Sequence, residues 1–355
     1  MRFSGVERTT ASGIFGERIA HTDLSEAAMN HFTLLVNDEP YRLWDQDPGE
    51  RTKEFLDSID PAFFSYLADA HAENLDSEEH KRRVATASRM AYLHGIETFM
   101  TLVGAAVQAP HAPYAWVTLA QTKLLRGVIE RISNGDHSLH TEFVNWDHTW
   151  EGLAKGVLAY SGQENGWPKT VESFGRAWRI LAGEFLDEHN QDEYNSLKHG
   201  FRIRSAGVKI AMGKQPGPGV AAPREEMQFI GGSDTGSTFY VIERAGPDVD
   251  TNRNRRTRRR TVNWTPETAI RGLQVIDVSI RNIVTFLRIV HGAKPNTVQF
   301  HRLEGVEDLA ALLRDSVGVR TSSFDVNLDE SLIPVVTKKQ LLEELAAAAQ
   351  PEPTA

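Results

Sequence analysis

The chain has 355 residues, with 39 lysines and arginines against 48 aspartates and glutamates, a formal net charge of −9 and no cysteine. That balance argues against a protein that coats nucleic acid over its whole surface but leaves room for a local basic patch. The missing thiols exclude a disulfide framework, a thiolate nucleophile and a thiolate zinc site.

Forty per cent apolar and 25% charged residues are ordinary globular values, and the length suits one large or two ordinary domains. The start, Met1-Arg2-Phe3-Ser4-Gly5, lacks the basic opening and apolar centre of a signal peptide. No apolar run approaches the ~20 residues that span a bilayer. These features predict a soluble, cytoplasmic protein.

Residues 1–50 carry no sustained periodicity and read as an N-terminal arm. Within it Phe32–Val36 is a short strand or a helix end, closed by a turn at Asn37-Asp38-Glu39-Pro40. Residues 51–204 read as a helical bundle. Phe55, Ile59, Phe63, Phe64 and Leu67 recur at helical spacing around a break at Pro61. An acidic start at Asp76–Glu79 leads into a helix that Pro110 stops, and another runs from Pro113 to Asn134-Gly135. After a histidine-rich loop come a helix at Trp150–Tyr160 and a longer one opened by Pro168, whose Val171, Phe174, Trp178, Leu181 and Phe185 make a three-four stripe.

Residues 205–264 change period and read as a β insertion with a basic loop. Val208–Met212 is one strand, and Gln228–Ile230 with Ser237–Glu243 form a hairpin across Ser233–Gly236. Thr265-Pro266-Glu267 is a strong helix start, and residues 265–294 make the central bundle helix. Residues 295–355 form a C-terminal segment with a strand at Val298–Phe300, a helix at Lys338–Ala349 and a frayed tail. The predicted fold is mainly α: a helical bundle with an inserted small antiparallel β element.

The stretch Asp192–Gly200 holds polar residues that look placed rather than solvated. Asn190 as N-cap and Glu193 three residues on match a capping box, and Gly200 ends the helix after Lys198 and His199. Tyr194, Leu197 and Phe201 take its apolar side. Asn195 and His199, four apart, project from one face, where an amide and an imidazole suit a phosphate or a catalytic group. The alternative is structural, with Lys198 and His199 finishing the helix and Asn195 tying down nearby backbone.

Two other clusters carry chemistry. Arg253, Arg255, Arg256, Arg258, Arg259 and Arg260 put six arginines into eight residues, read either as a nucleic-acid-binding patch or as a solvated loop without interleaved aromatics. His137, His140 and His148 sit near Asp136 and Asp147, but without the H-E-x-x-H spacing or a regular helix no metal site is assigned. Neither a P-loop nor a dinucleotide fingerprint is present, and no cofactor is implied.

The string Tyr194, Asn195, Lys198, His199, Gly200 on a short helix in a helical chain resembles a sequence habit of the HEPN-like helical bundles. The resemblance implies a four- or five-helix bundle, a homodimer, and RNA binding or metal-independent RNA cleavage in a defence or toxin system. Active members carry an R-x(4–6)-H motif, which Arg89–His94 and Arg131–His137 match in spacing. The implied catalytic set is His199, Asn195, Lys198, His94 and Arg89. The alternative function is a non-catalytic binding or assembly module in which Tyr194–Gly200 is purely structural, so whether the chain is an enzyme stays open at this level.

Overall fold

Asn37, in the left-handed region at φ 57°, reverses the chain at its first strand end. The computed structural model describes residues 31–348 except 61, 78, 144–145, 162–165, 201, 316 and 325–328. Most of the predicted arm, Phe201 and the predicted tail therefore lie outside the described residues. β1 (His31–Val36) and β2 (Glu39–Trp44) form an antiparallel hairpin around Asn37-Asp38, so Glu39 and Pro40 belong to a strand rather than to the predicted turn.

The helices follow the apolar periodicity. α1 (Pro48–Ser58) is capped by Asp47, whose carboxylate accepts the Glu50 N–H at 2.9 Å. α2 (Phe63–Asn74), α3 (Lys81–Gln108), α4 (Pro113–Leu119), α5 (Thr122–Ser133), α6 (Trp150–Val157), α7 (Trp167–Leu186) and α8 (Glu188–Lys198) come next. The helix predicted across 113–134 is two, because Ala120 and Gln121 leave the helical region for extended backbone.

β3 (Ile203–Ser205), β4 (Lys209–Met212), β5 (Gln228–Gly232), β6 (Gly236–Arg244) and β7 (Arg255–Asn263) follow, then α9 (Pro266–Val290), α10 (Leu309–Leu312), β8 (Thr321–Phe324) and α11 (Lys338–Ala348). The predicted hairpin across Ser233–Gly236 does not form. β5 folds back on β4, while β6 pairs with β7 in an antiparallel sheet ordered β3-β6-β7-β8. The predicted basic loop is β7 itself, held as a strand where its arginines find carboxylates. Val298–Phe300 forms no ladder either. Side chains of α9 take up its neighbourhood's backbone groups: Thr285 donates to the Gln299 carbonyl at 3.1 Å, and Asn282 binds the His301 N–H and carbonyl. Helices with small antiparallel sheets make the fold a mixed one, rather than a pure bundle.

The main core lies where α3 and α9 cross, with α7 beside them. Thr265 caps α9 as the sequence predicts, accepting the Thr268 N–H. Trp178 of α7 is buried and donates to the Ser279 hydroxyl of α9 at 2.9 Å. α3 is long and apolar enough to cross a membrane by length and composition, but 67% of its most apolar window is buried inside the protein. The α3–α9 approach is close because Gly272 faces Tyr92: a Cβ there would lie 2.3 Å from the ring. Gly272→Ala should destabilise the protein by about 1–3 kcal/mol through overpacking. Urea unfolding reads this directly, and an unchanged midpoint would mean that the two helices can part to admit the methyl.

Candidate functional site

α8 begins one turn earlier than its capping box suggests. Asp187 is the N-cap, its carboxylate accepting the Asn190 N–H at 2.8 Å. A charged cap three residues upstream starts the helix sooner and turns Asn190 and Glu193 inward, where they are 2% and 0% exposed. Both meet Arg89 of α3. Its Nη2 donates to Glu193 Oε2 at 2.8 Å and to Asn190 Oδ1 at 2.9 Å, and its Nε lies 3.1 Å from Glu193 Oε2. Trp264, between β7 and α9, donates its indole N–H to Glu193 Oε1 at 2.9 Å. The guanidinium sits 5.6 Å from the Tyr92 ring centre and 5.9 Å from that of Trp264. Burial opposes the Arg89 charge, but Glu193 and Glu184 outweigh it and hold its pKa above the ordinary value. Burial and the Glu184 charge also push the Tyr92 hydroxyl well above its usual range.

Arg89 and His94 therefore do not converge. Arg89 points into this buried cluster, whereas His94 is exposed and its Nδ1 lies 3.0 Å from the Tyr194 hydroxyl. Around Tyr194 the structure gathers a polar set at the α3–α8 seam. Lys198 Nζ is 3.6 Å from Glu97 and 4.5 Å above the Tyr194 ring, and Asn195 lines the same narrow groove with Glu97, Gln191 and Lys198. Burial, then Glu97, raise the Tyr194 pKa, so this hydroxyl stays a proton donor at neutral pH rather than a phenolate. His199 stands apart. It is the exposed C-cap, its N–H donating to the Asn195 carbonyl at 3.1 Å, before Gly200 at φ 107°. Of the predicted catalytic residues, Lys198 and Asn195 line one groove and His94 meets its edge through the Tyr194 hydroxyl, while Arg89 and His199 do not join them.

The second R-x-H spacing is also split. Arg131 binds Asp136 and Asp38, each at 2.7 Å, and Ser138 at 3.0 Å. His137 instead packs 4.5 Å from His148, which stacks on Trp146 at 4.6 Å. Among the described residues no group of three or more histidine, aspartate or glutamate side chains is placed to hold a metal.

β7 sorts the arginine run by strand parity. Arg256, Arg258 and Arg260 face the helices, and all three reach Glu243 of β6, at 3.5, 3.3 and 2.9 Å. Arg256 also binds Glu330 at 2.5 Å, and Arg260 binds Asp192 of α8. Phe239, Val262 and Trp264 pack on the same side, with Ala85 of α3. Arg255, Thr257 and Arg259 face outward and are exposed. Directly across from Arg259 on β6 is Tyr240, and across from Thr257 is Ile242, 68% and 71% exposed. Arg244 and Arg204 complete this outer face, with Asp248 on Arg244. Arg253 lies exposed before the strand, its N–H bound to the Val336 carbonyl. The aromatic that the arginine run lacks is thus supplied by the neighbouring strand. Only the alternation in Thr238–Arg244 signals it, and only once the pairing is known.

No protein-family model matches the chain, and neither a curated protein nor a solved structure matches it. The HEPN-like resemblance therefore rests on its residues alone, and function has to be argued from the geometry.

Arg89→Met should cost about 3–5 kcal/mol by stranding the buried Glu193 carboxylate, and the double change Arg89→Met/Glu193→Met should recover part of it. Chemical unfolding decides, and an unaltered midpoint in the single variant would remove the guanidinium from the fold's supports. Ser138, through its hydroxyl and N–H, and then Arg131 hold the Asp136 carboxyl at about 2. Its stabilising share is complete above the ordinary carboxylate range and is lost as pH falls through that value. A carboxyl NMR titration should place Asp136 there and find it higher in Ser138→Ala.

Proposed function

We propose that this protein binds single-stranded RNA on the outer face of the β3-β6-β7-β8 sheet and does so without cutting it, the Tyr194–Gly200 string serving the fold. The observation that carries this reading is the sorting of charge across the sheet. Carboxylates gather beneath it on Arg256, Arg258 and Arg260, while Tyr240 and Arg259 stand side by side above it, within a field of Arg204 and Arg255, with Arg244 there paired to Asp248.

Physically, an exposed tyrosine gives an unpaired base a stacking platform that tolerates any sequence, and flanking guanidinium groups meet the phosphates. Bases in a duplex are already stacked on one another, so the face suits single strands. The net charge of −9 keeps the attraction local. Cleavage by general acid–base chemistry needs an imidazole beside a phosphate-stabilising cation. The buried, ion-paired Arg89 and the outlying His199 do not supply that pair, and at the α3–α8 seam His94 is engaged by the Tyr194 hydroxyl and Lys198 by Glu97, which favours binding over catalysis.

The test is fluorescence anisotropy with a labelled single-stranded RNA, repeated with duplex RNA and single-stranded DNA. Tyr240→Ala should weaken binding by about 1–3 kcal/mol, the worth of one stacked base. Arg255→Glu/Arg259→Glu should flatten the salt dependence by at least about one unit of slope. RNA incubated in EDTA with wild type, His94→Ala or His199→Ala should remain intact. Equal affinity in wild type and the sheet-face variants would overturn the binding face, and cleavage lost in either histidine variant would restore the nuclease reading.

A further inference from the structure

Among the described residues, α11 is an amphipathic helix without a partner. No residue of Lys338–Ala348 is buried, and Leu342 and Leu345 are 56% and 67% exposed. Its start is well built: Thr337 and Gln340 make a reciprocal capping box, with Thr337 N–H to Gln340 Oε1 at 2.8 Å and Gln340 N–H to Thr337 Oγ1 at 3.4 Å. Yet its 11 described residues alone fall short of the ~12–15 at which a lone helix becomes even marginal in water. Leu332 and Val335, upstream in the chain, are exposed as well. Such a helix needs a surface to cover it.

The charges say which surface. Lys338 and Lys339 occupy the first turn, at the positive end of the helix dipole, and Glu343 and Glu344 lie further along, the arrangement that the dipole disfavours. Within the helix Lys339 reaches Glu343 at 3.8 Å, four residues on, in the weaker of the two orders for such a pair. Both defects vanish if an identical helix lies antiparallel on the Leu341–Leu342–Leu345 face. A two-fold axis near Leu341 sets the lysine pair of each copy beside the glutamate pair of the other and opposes the two dipoles. The charge pattern is complementary to itself in that orientation, and in a parallel one like charges would meet.

We infer that α11 is a self-association helix, pairing antiparallel with the α11 of a second copy of this chain. Two short helices bury less than a standard interface, so the dimer is weak, with a Kd on the order of 10–100 µM.

Sedimentation equilibrium of the full chain over a concentration series tests this, using two charge-reversed variants, Lys338→Glu/Lys339→Glu and Glu343→Lys/Glu344→Lys. Wild type should show reversible dimerisation. Each variant alone should weaken it by about tenfold or more, since four attractive pairs become repulsive. An equimolar mixture of the two variants should associate as a heterodimer, and the fourfold variant with both reversals should dimerise like wild type. Far-UV circular dichroism checks that each variant keeps its fold, and the recovery in the mixture and in the fourfold variant separates lost pairing from lost structure. The inference is overturned by a wild type that stays monomeric to about 1 mM, by charge-reversed variants that dimerise as wild type does, or by a mixture no more associated than its components. None of these outcomes bears on RNA binding, which is read from the sheet-face variants.

Discussion

The ion pair between Arg89 and Glu193 is the constraint around which the helical body and the sheet are fitted. Moving either charge out of water costs several kcal/mol, recovered only when every donor and acceptor is placed. Here Asn190, Trp264 and the rings of Tyr92 and Trp264 surround the pair, from α3, α8 and the β7–α9 junction, while the buried Tyr92 hydroxyl and Glu184 Oε2 beside it make no hydrogen bond among the described residues. Apolar residues would fill the same volume, but they would accept a range of orientations between the elements. A two-pronged guanidinium–carboxylate contact accepts one. The small apolar cluster of Ala85, Phe239, Val262 and Trp264 that seats the sheet is built beside that fixed point.

The arginines of β7 extend the same logic along the strand. A strand with four or more charged side chains is a poor candidate for pairing on propensity alone. It is held because alternate residues reach Glu243, Glu330 and Asp192 on the covered side. Burial raises the Asp192 pKa, and the charge of Arg260 works against that shift, so the aspartate keeps its role there through its arginine. Fixing the inner row fixes the backbone, and with it the spacing of the outer row. Tyr240 and Arg259 are thereby set by the carboxylate ladder beneath them, which lowers the ordering cost of any ligand they meet.

What could be read from the residues divides along physical lines. α3, α7 and α9 were legible because their apolar stripes are wide and their ends carry local signals, such as Pro110 and Thr265-Pro266. The arginine run was not legible as a strand, since the carboxylates that hold it lie 13 or more residues away, on β6, on α8 and near Glu330. β8, contributed from the C-terminal segment, is a long-range pairing of the same kind. Asn190 is a fair N-cap by type, but Asp187 competes for the position and wins, which turned a predicted cap into a buried ligand of Arg89. Arg89 and His94 match a spacing, and spacing fixes neither direction nor depth: one side chain is enclosed and the other faces water. The polar string on α8, singled out in the sequence as placed, makes its contacts with α3 and β7.

The electrostatics of the two proposed surfaces share one feature, which is that net charge says little about either. At physiological salt, fields fade over roughly 8 Å, so a phosphate near Tyr240 meets Arg204, Arg255 and Arg259 and is screened from most of the carboxylates behind −9. Two lysines and two glutamates on α11 are likewise neutral in sum and directional in arrangement. A single aromatic with a few arginines makes a weak RNA site, and two short helices make a weak dimer. Joined, the terms multiply: a strand held by one sheet face meets the second at a raised effective concentration, and avidity exceeds what either contact provides alone. Under the two proposals, weakness at each surface becomes a means of control, since the pair would engage RNA only when protein is abundant enough to associate.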